Sequence, residues 1–111
     1  MKIHRTLIWG ITAAILHAPL ALAADAAANW DEHCASCHGA TGKADTKMGQ
    51  KLKLKDYSDA KVQAALTDEQ LLKATLDGVT VDGKQKMKPF AEKLTPAEGQ
   101  ALVALIRSFK K

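Results

Sequence analysis

The chain has 111 residues, 25% of them charged and 47% hydrophobic, with a formal net charge of +4 and a pI near 9.1. That length is one small domain, and the basic balance is no nucleic-acid signature: part of it sits in the first 23 residues, and no basic run interleaves with aromatics. Internal repeats, a P-loop, a nucleophile elbow and an HExxH motif are all missing, which excludes the phosphate-loop, serine-hydrolase and zinc-protease readings.

The first stretch reads as an address. Lys2, His4 and Arg5 give a basic start, residues 7–22 are mostly apolar, and Ala21-Leu22-Ala23 is a small-residue cleavage signal. Residues 1–23 are therefore expected to be a secretory signal peptide cut after Ala23, leaving 24–111 as a domain exported to the periplasm. An uncleaved anchor is the alternative, because the apolar run has roughly the minimum length that spans a bilayer. Pro19 and the Ala-rich cleavage site favour removal, so no permanent membrane anchor is expected. Loss of Lys2 and Arg5 lowers the net charge from +4 to +2. The protein core of so short a mature chain is marginal by itself.

Residues 24–37 have high helix propensity and no strand-like alternation, so the first helix is expected there, closed by the cysteines. Cys34-Ala35-Ser36-Cys37-His38 carries two thiols and an imidazole at the spacing that covalent attachment of a c-type haem requires. Each thiol adds across one vinyl group, and the histidine after the second cysteine lies beneath the ring, where it can ligate the iron. Both cysteines of the chain are used, and export fits a site assembled outside the cytoplasm. A haem held this way would also enlarge the small core. Two other chemistries use such a pair. A thiol redox site, or a tight disulfide between Cys34 and Cys37, would follow a strand and open a helix. A structural zinc site needs a second ligand pair, and the one spare histidine beyond the leader is His33, next to Cys34.

Residues 39–57 show no sustained apolar period and carry Lys43, Lys47, Lys51, Lys53 and Lys55. So long a structureless stretch is unusual in a compact domain, unless it wraps a haem edge. Gly39 and Gly42 suit positive φ in the turn after His38, and Leu52 and Leu54 suit packing on the ring. A short helix is expected after Ser58, with Val62 and Leu66 inward. Thr67 and Gln70 form a capping box for the next helix, Leu71, Leu72 and Leu76 supply its buried stripe, and Gly78 its C-terminal cap. Residues 79–94 read as loop, with Gly83, Met87 and Pro89. Thr95, Pro96 and Glu98 start the last helix; Leu102, Leu105, Ile106 and Phe109 share one face, and Arg107, Lys110 and Lys111 suit its negative end. The fold class is all-α.

The haem motif, Gly39 and Gly42, the segment Lys86-Met87-Lys88-Pro89-Phe90 and the amphipathic last helix together make residues 30–111 resemble the class I monohaem cytochromes c. These are small soluble electron carriers. The resemblance implies the class I cytochrome c fold, three to five helices around one covalent haem c, in a monomer. It implies that Trp30 packs on the last helix. An aromatic is common in the family where this chain has Leu105, so an aliphatic crossing is expected. His38 becomes the proximal ligand through Nε2. The family commonly fixes the other nitrogen with a proline carbonyl in the following loop, but Pro19, Pro89 and Pro96 are the prolines of this chain, and none lies there.

Beyond the leader the methionines are Met48 and Met87. Met48 follows His38 by 10 residues, and at about 3.3 Å per residue an extended chain just reaches round a haem edge. Met87 resembles the family's methionine loop, although Lys88 stands between it and Pro89. Met87 is the expected distal ligand and Met48 the alternative. With both axial positions filled the iron has no open site, so the expectation is an electron carrier with no turnover of its own. The alternatives are a haem subunit of a larger redox enzyme, or a weak haem peroxidase if the methionine bond is labile. Lys84, Lys86 and Lys88 flank Met87, and with the loop lysines they would form a positive rim for acidic redox partners; scattered solvated charges are the plainer reading.

Overall fold

The computed structural model describes Gly10 and residues 20–111, with side chains from Asp25 onward. Apart from Gly10 and its last four residues, the expected signal peptide lies outside the described residues. Among the described residues six helical segments follow one another: α1 (Leu20–His33), α2 (Ala35–His38), α3 (Lys47–Lys51), α4 (Ala60–Ala65), α5 (Asp68–Asp77) and α6 (Pro96–Ser108). Between α5 and α6 lies a hairpin of β1 (Val79–Val81) and β2 (Lys84–Met87). The fold is mostly helical, as expected. Counting α1 and α2 as one helix broken at Cys34 gives five helices.

That break is local. The Cys34 amide still bonds the Trp30 carbonyl at 2.9 Å, and the His38 amide bonds the Cys34 carbonyl at 2.9 Å, so four-residue bonds end and restart at the same residue. α1, from the other end of the chain, crosses α6, and α5 packs on α6 as well. The core between them contains Trp30, Cys34, Leu71, Phe90, Leu102 and Ile106, with Leu102 only 1% exposed. Full burial of each such aliphatic side chain is worth about 1.5–3 kcal/mol. The expected aliphatic crossing is corrected. Phe109, one turn beyond Leu105, meets Trp30 edge to face at 5.0 Å, while Leu105 is half-buried beside the core.

Both expected capping boxes form, Thr67 with Gln70 and Thr95 with Glu98. In α4, Val62 and Leu66 are half-buried, and the buried residue is Gln63. Its amide donates to the Tyr57 and Ile106 carbonyls at 2.7 and 2.8 Å, and its oxygen accepts from Arg107 at 2.9 Å. Arg107 also reaches the Gln63 and Leu66 carbonyls and Asp68, so it ties α4, α5 and α6 together as well as suiting the helix dipole.

The stretch 39–57, expected to be irregular, contains α3. Thr46 caps it by accepting from the Gly49 amide, and the same hydroxyl donates to the Cys37 carbonyl at 2.6 Å. The expected loop 79–94 likewise begins as a hairpin. Asp82 and Gly83 sit at φ of 52° and 75°, the positive pair that a type I′ turn requires. Val79 pairs with Met87 and Thr80 with Gln85, which makes Lys86 the extra residue of a β-bulge. Beyond the strand, the Phe90 and Ala91 amides bond the Thr75 and Leu76 carbonyls and return the chain to α5.

Candidate functional site

Cys34, His38 and Met87 open onto one cleft, walled mainly by apolar side chains that include Leu71, Leu102 and Ile106. Its space is about 360 Å³ counted out to the open mouth. Each element contributes one part: the kinked end of α1 brings Cys34, the single turn of α2 brings Cys37 and His38, and the end of β2 brings Met87. Met48 points elsewhere. It lies on α3 and is 42% exposed. Cys37 is half-buried one turn beyond Cys34, outside the walls of the cleft, and both cysteines are free thiols.

Burial, with a smaller contribution from Cys37, pushes the Cys34 thiol up to about 11. A thiol redox centre needs the opposite shift, toward thiolate at neutral pH, so this environment argues against that chemistry. Burial lowers the pKa of His38, which keeps its imidazole in the neutral form that binds a metal. Among the described residues, no group of three or more His, Cys, Asp or Glu side chains is placed to hold a bare metal ion.

The histidine is enclosed by aromatics. Its ring lies nearly parallel to Tyr57, 21° apart with centroids at 5.5 Å, and Trp30 stands 5.8 Å away at 44°. The Trp30 indole donates to the Gly39 carbonyl at 2.9 Å, fixing the residue after the ligand. Gly39 takes φ of 85° and Gly42 φ of 73°, as expected for the turn. An added Cβ on Gly42 would meet Phe109 and Tyr57, so this turn also lets the aromatics close in. His38 Nδ1 is buried and, among the described residues, without a hydrogen-bond partner. That agrees with the absence of a proline in the following loop, and it leaves Nε2 as the nitrogen available to the cleft.

A buried thiol, a neutral imidazole and a thioether on one apolar cleft, with a second thiol one turn along the chain, suit a flat apolar group carrying a soft, nitrogen-binding metal. The profile of the family described as "Cytochrome C oxidase, cbb3-type, subunit III" matches residues 21–106. The chain belongs to this family of c-type cytochromes. Among solved structures, the KustC0563 c-type cytochrome is similar at 37% identity and a TM-score of 0.69, over 78% of this chain and 98% of that one. A tyrosine-to-phenylalanine mutant of Kustc0563 is similar at 37% identity and a TM-score of 0.67, over 78% and 99%. Comparison with curated proteins finds no match. This cytochrome therefore carries covalently bound haem c, and its family serves haem-based electron transfer.

The sequence reading missed Tyr57, Gln63, Arg107, Thr46 and Gly49 as supports of the site. Thr46 carried a signal, as a threonine three residues before the glycine it caps. Gln63 and Arg107 meet over 44 residues, where no local pattern betrays a contact.

Proposed function

We propose that this cytochrome is a periplasmic one-electron carrier, with residues 1–23 removed as a signal peptide. Cys34 and Cys37 hold the haem through thioethers, and His38 and Met87 ligate the iron. The observation that carries this reading is the shared apolar cleft onto which Cys34, His38 and Met87 converge while Met48 stays exposed on α3. The haem supplies the redox orbital. Neutral His38 offers Nε2, and Met87 offers a soft sulfur that favours the reduced state more than a second imidazole would. The side chains of Leu71, Leu102 and Ile106 exclude water from that face. With His38 and Met87 both bound, a haem held here would offer substrate no open position, which is why we read the protein as a carrier with no turnover of its own. Among the described residues no helix is long and apolar enough to cross a membrane.

The exported protein should have the mass of the chain from Ala24 plus one haem, and acid-acetone should leave its colour on the protein. Met87→Ala should abolish the weak far-red band of ferric methionine-ligated haem and let carbon monoxide bind the reduced form. Met48→Ala should do neither, and the reverse pattern would move the ligand to Met48. A second reading, a haem subunit of a larger redox enzyme, is favoured by the oxidase-subunit description of the family. Purification alone or in a stoichiometric complex separates the two, and we read the free form as a monomer.

A further inference from the structure

A ligating histidine ordinarily donates its second ring nitrogen to a carboxylate, a carbonyl or water, and that bond fixes both its tautomer and the plane of its ring. The structure places His38 differently. Nδ1 is sealed from solvent, and no described residue accepts from it. Rotation of the ring must then be set by packing, and one neighbour is suited to that. Tyr57 stacks on the imidazole at 21° and 5.5 Å, the offset-parallel arrangement that aromatic pairs prefer. Trp30, at 44°, blocks space beside the ring without matching its plane.

Tyr57 is itself unusually constrained. Its amide donates to the Gly42 carbonyl at 2.8 Å, and its carbonyl accepts from Gln63 at 2.7 Å. Gln63 is 5% exposed, and both ends of its amide are engaged, by Ile106 and by Arg107. Arg107 in turn donates to the Leu66 carbonyl at 2.6 Å. The line from α6 through Gln63 to Tyr57 ends on the face of His38. These bonds fix the backbone from which the Tyr57 ring projects.

We propose that Tyr57 is a positioning residue for the axial histidine, holding the imidazole plane by stacking where a hydrogen-bond acceptor would ordinarily hold it, with Gln63 and Arg107 holding Tyr57. This rests on His38 being the proximal ligand. An imidazole whose second nitrogen has no acceptor is a weaker electron donor than one that is hydrogen-bonded, so the oxidised state is less stabilised and the reduction potential rises.

The test uses the haem-loaded protein. In the ferric state the hyperfine-shifted haem-methyl proton resonances report the orientation of the axial imidazole. Tyr57→Phe keeps the stacked ring and should keep the wild-type methyl pattern, whereas Tyr57→Leu should reorder the methyl shifts or compress their spread. A folded, haem-loaded Tyr57→Leu protein with the wild-type pattern overturns the proposal. A measurement on the unaltered protein stands beside it, in case Tyr57→Leu does not load haem. In the reduced, ¹⁵N-labelled protein the His38 Nδ1 resonance should have the shift of an N–H without an acceptor, and a hydrogen-bonded shift overturns the proposal. Failure of the underlying reading is distinct from both, because the wild-type spectrum would then lack imidazole ligation altogether.

Discussion

A glycine inside a helix normally weakens it by about 0.5–1 kcal/mol relative to alanine, because its backbone loses more freedom on folding. Gly49 in α3 reverses that sign. An added Cβ would lie 2.5 Å from the Ala44 carbonyl oxygen and 2.7 Å from the Cys37 carbonyl oxygen, and neither backbone atom can turn aside as a side chain would. Overpacking of this kind costs about 1–3 kcal/mol. Gly49→Ala should therefore lower the urea midpoint of the haem-loaded protein with its m-value unchanged, and a raised midpoint would show that the turn after His38 relaxes freely. The reason for the close approach lies in the attachment site, since the same Cys37 carbonyl accepts from Thr46 and draws α3 against α2.

Among the elements, α6 has the most heavily tied start. The Thr95 hydroxyl accepts from the Glu98 amide, and the Glu98 carboxylate accepts from the Thr95 amide at 3.0 Å and from Asn29 of α1 at 3.2 Å. Thr95→Ala should cost about 1 kcal/mol in equilibrium denaturation, the usual worth of such a cap. The Thr95 backbone bond, the Asn29 bond and the Thr95 hydroxyl bond hold the Glu98 carboxyl below its ordinary value. Its contribution is therefore complete above the unfolded value of about 4.3 and is lost as pH falls through the lower folded one. Glu98→Gln should flatten the acid limb of stability against pH and leave the neutral region nearly parallel to wild type; an acid limb of unchanged slope would show that the carboxylate is not coupled to folding. Both capping boxes, and the motif ending at His38, were legible in the sequence because each is a local pattern within a few residues. The hairpin carried a local signal too, Asp82-Gly83 after the β-branched run Val79-Thr80-Val81, but its strands are too short and polar to show alternation. Gln63 and Arg107 had no such signal, because their partners lie on other elements.

Across the whole molecule, charge is distributed in a way that bears on docking. Lys84, Lys86 and Lys88 are exposed around Met87, as are Lys47, Lys51, Lys53 and Lys55 near α3, although residues 24–111 carry a net charge of only +2. If these lysines form a positive rim, it would steer acidic partners; such steering raises association rates by about 10- to 1000-fold, and salt screens it over about 8 Å at physiological ionic strength. In stopped-flow electron transfer to an acidic acceptor, the bimolecular rate should fall steeply with salt. Lys86→Glu with Lys88→Glu should slow it far more than Lys110→Glu with Lys111→Glu; equal slowing, or indifference to salt, would mean that the lysines do not orient the encounter. The hairpin carrying two of these lysines has a further use in wiring the protein to a surface. Its tip at Gly83 has open space around it, while its base is clasped at Gly78 and Phe90. Doubling the length of a flexible loop adds only about 0.6 kcal/mol of closure cost. A gold- or carbon-binding peptide spliced between Asp82 and Gly83 would thus leave the clasp intact and moor the molecule to an electrode by the element that ends in Met87.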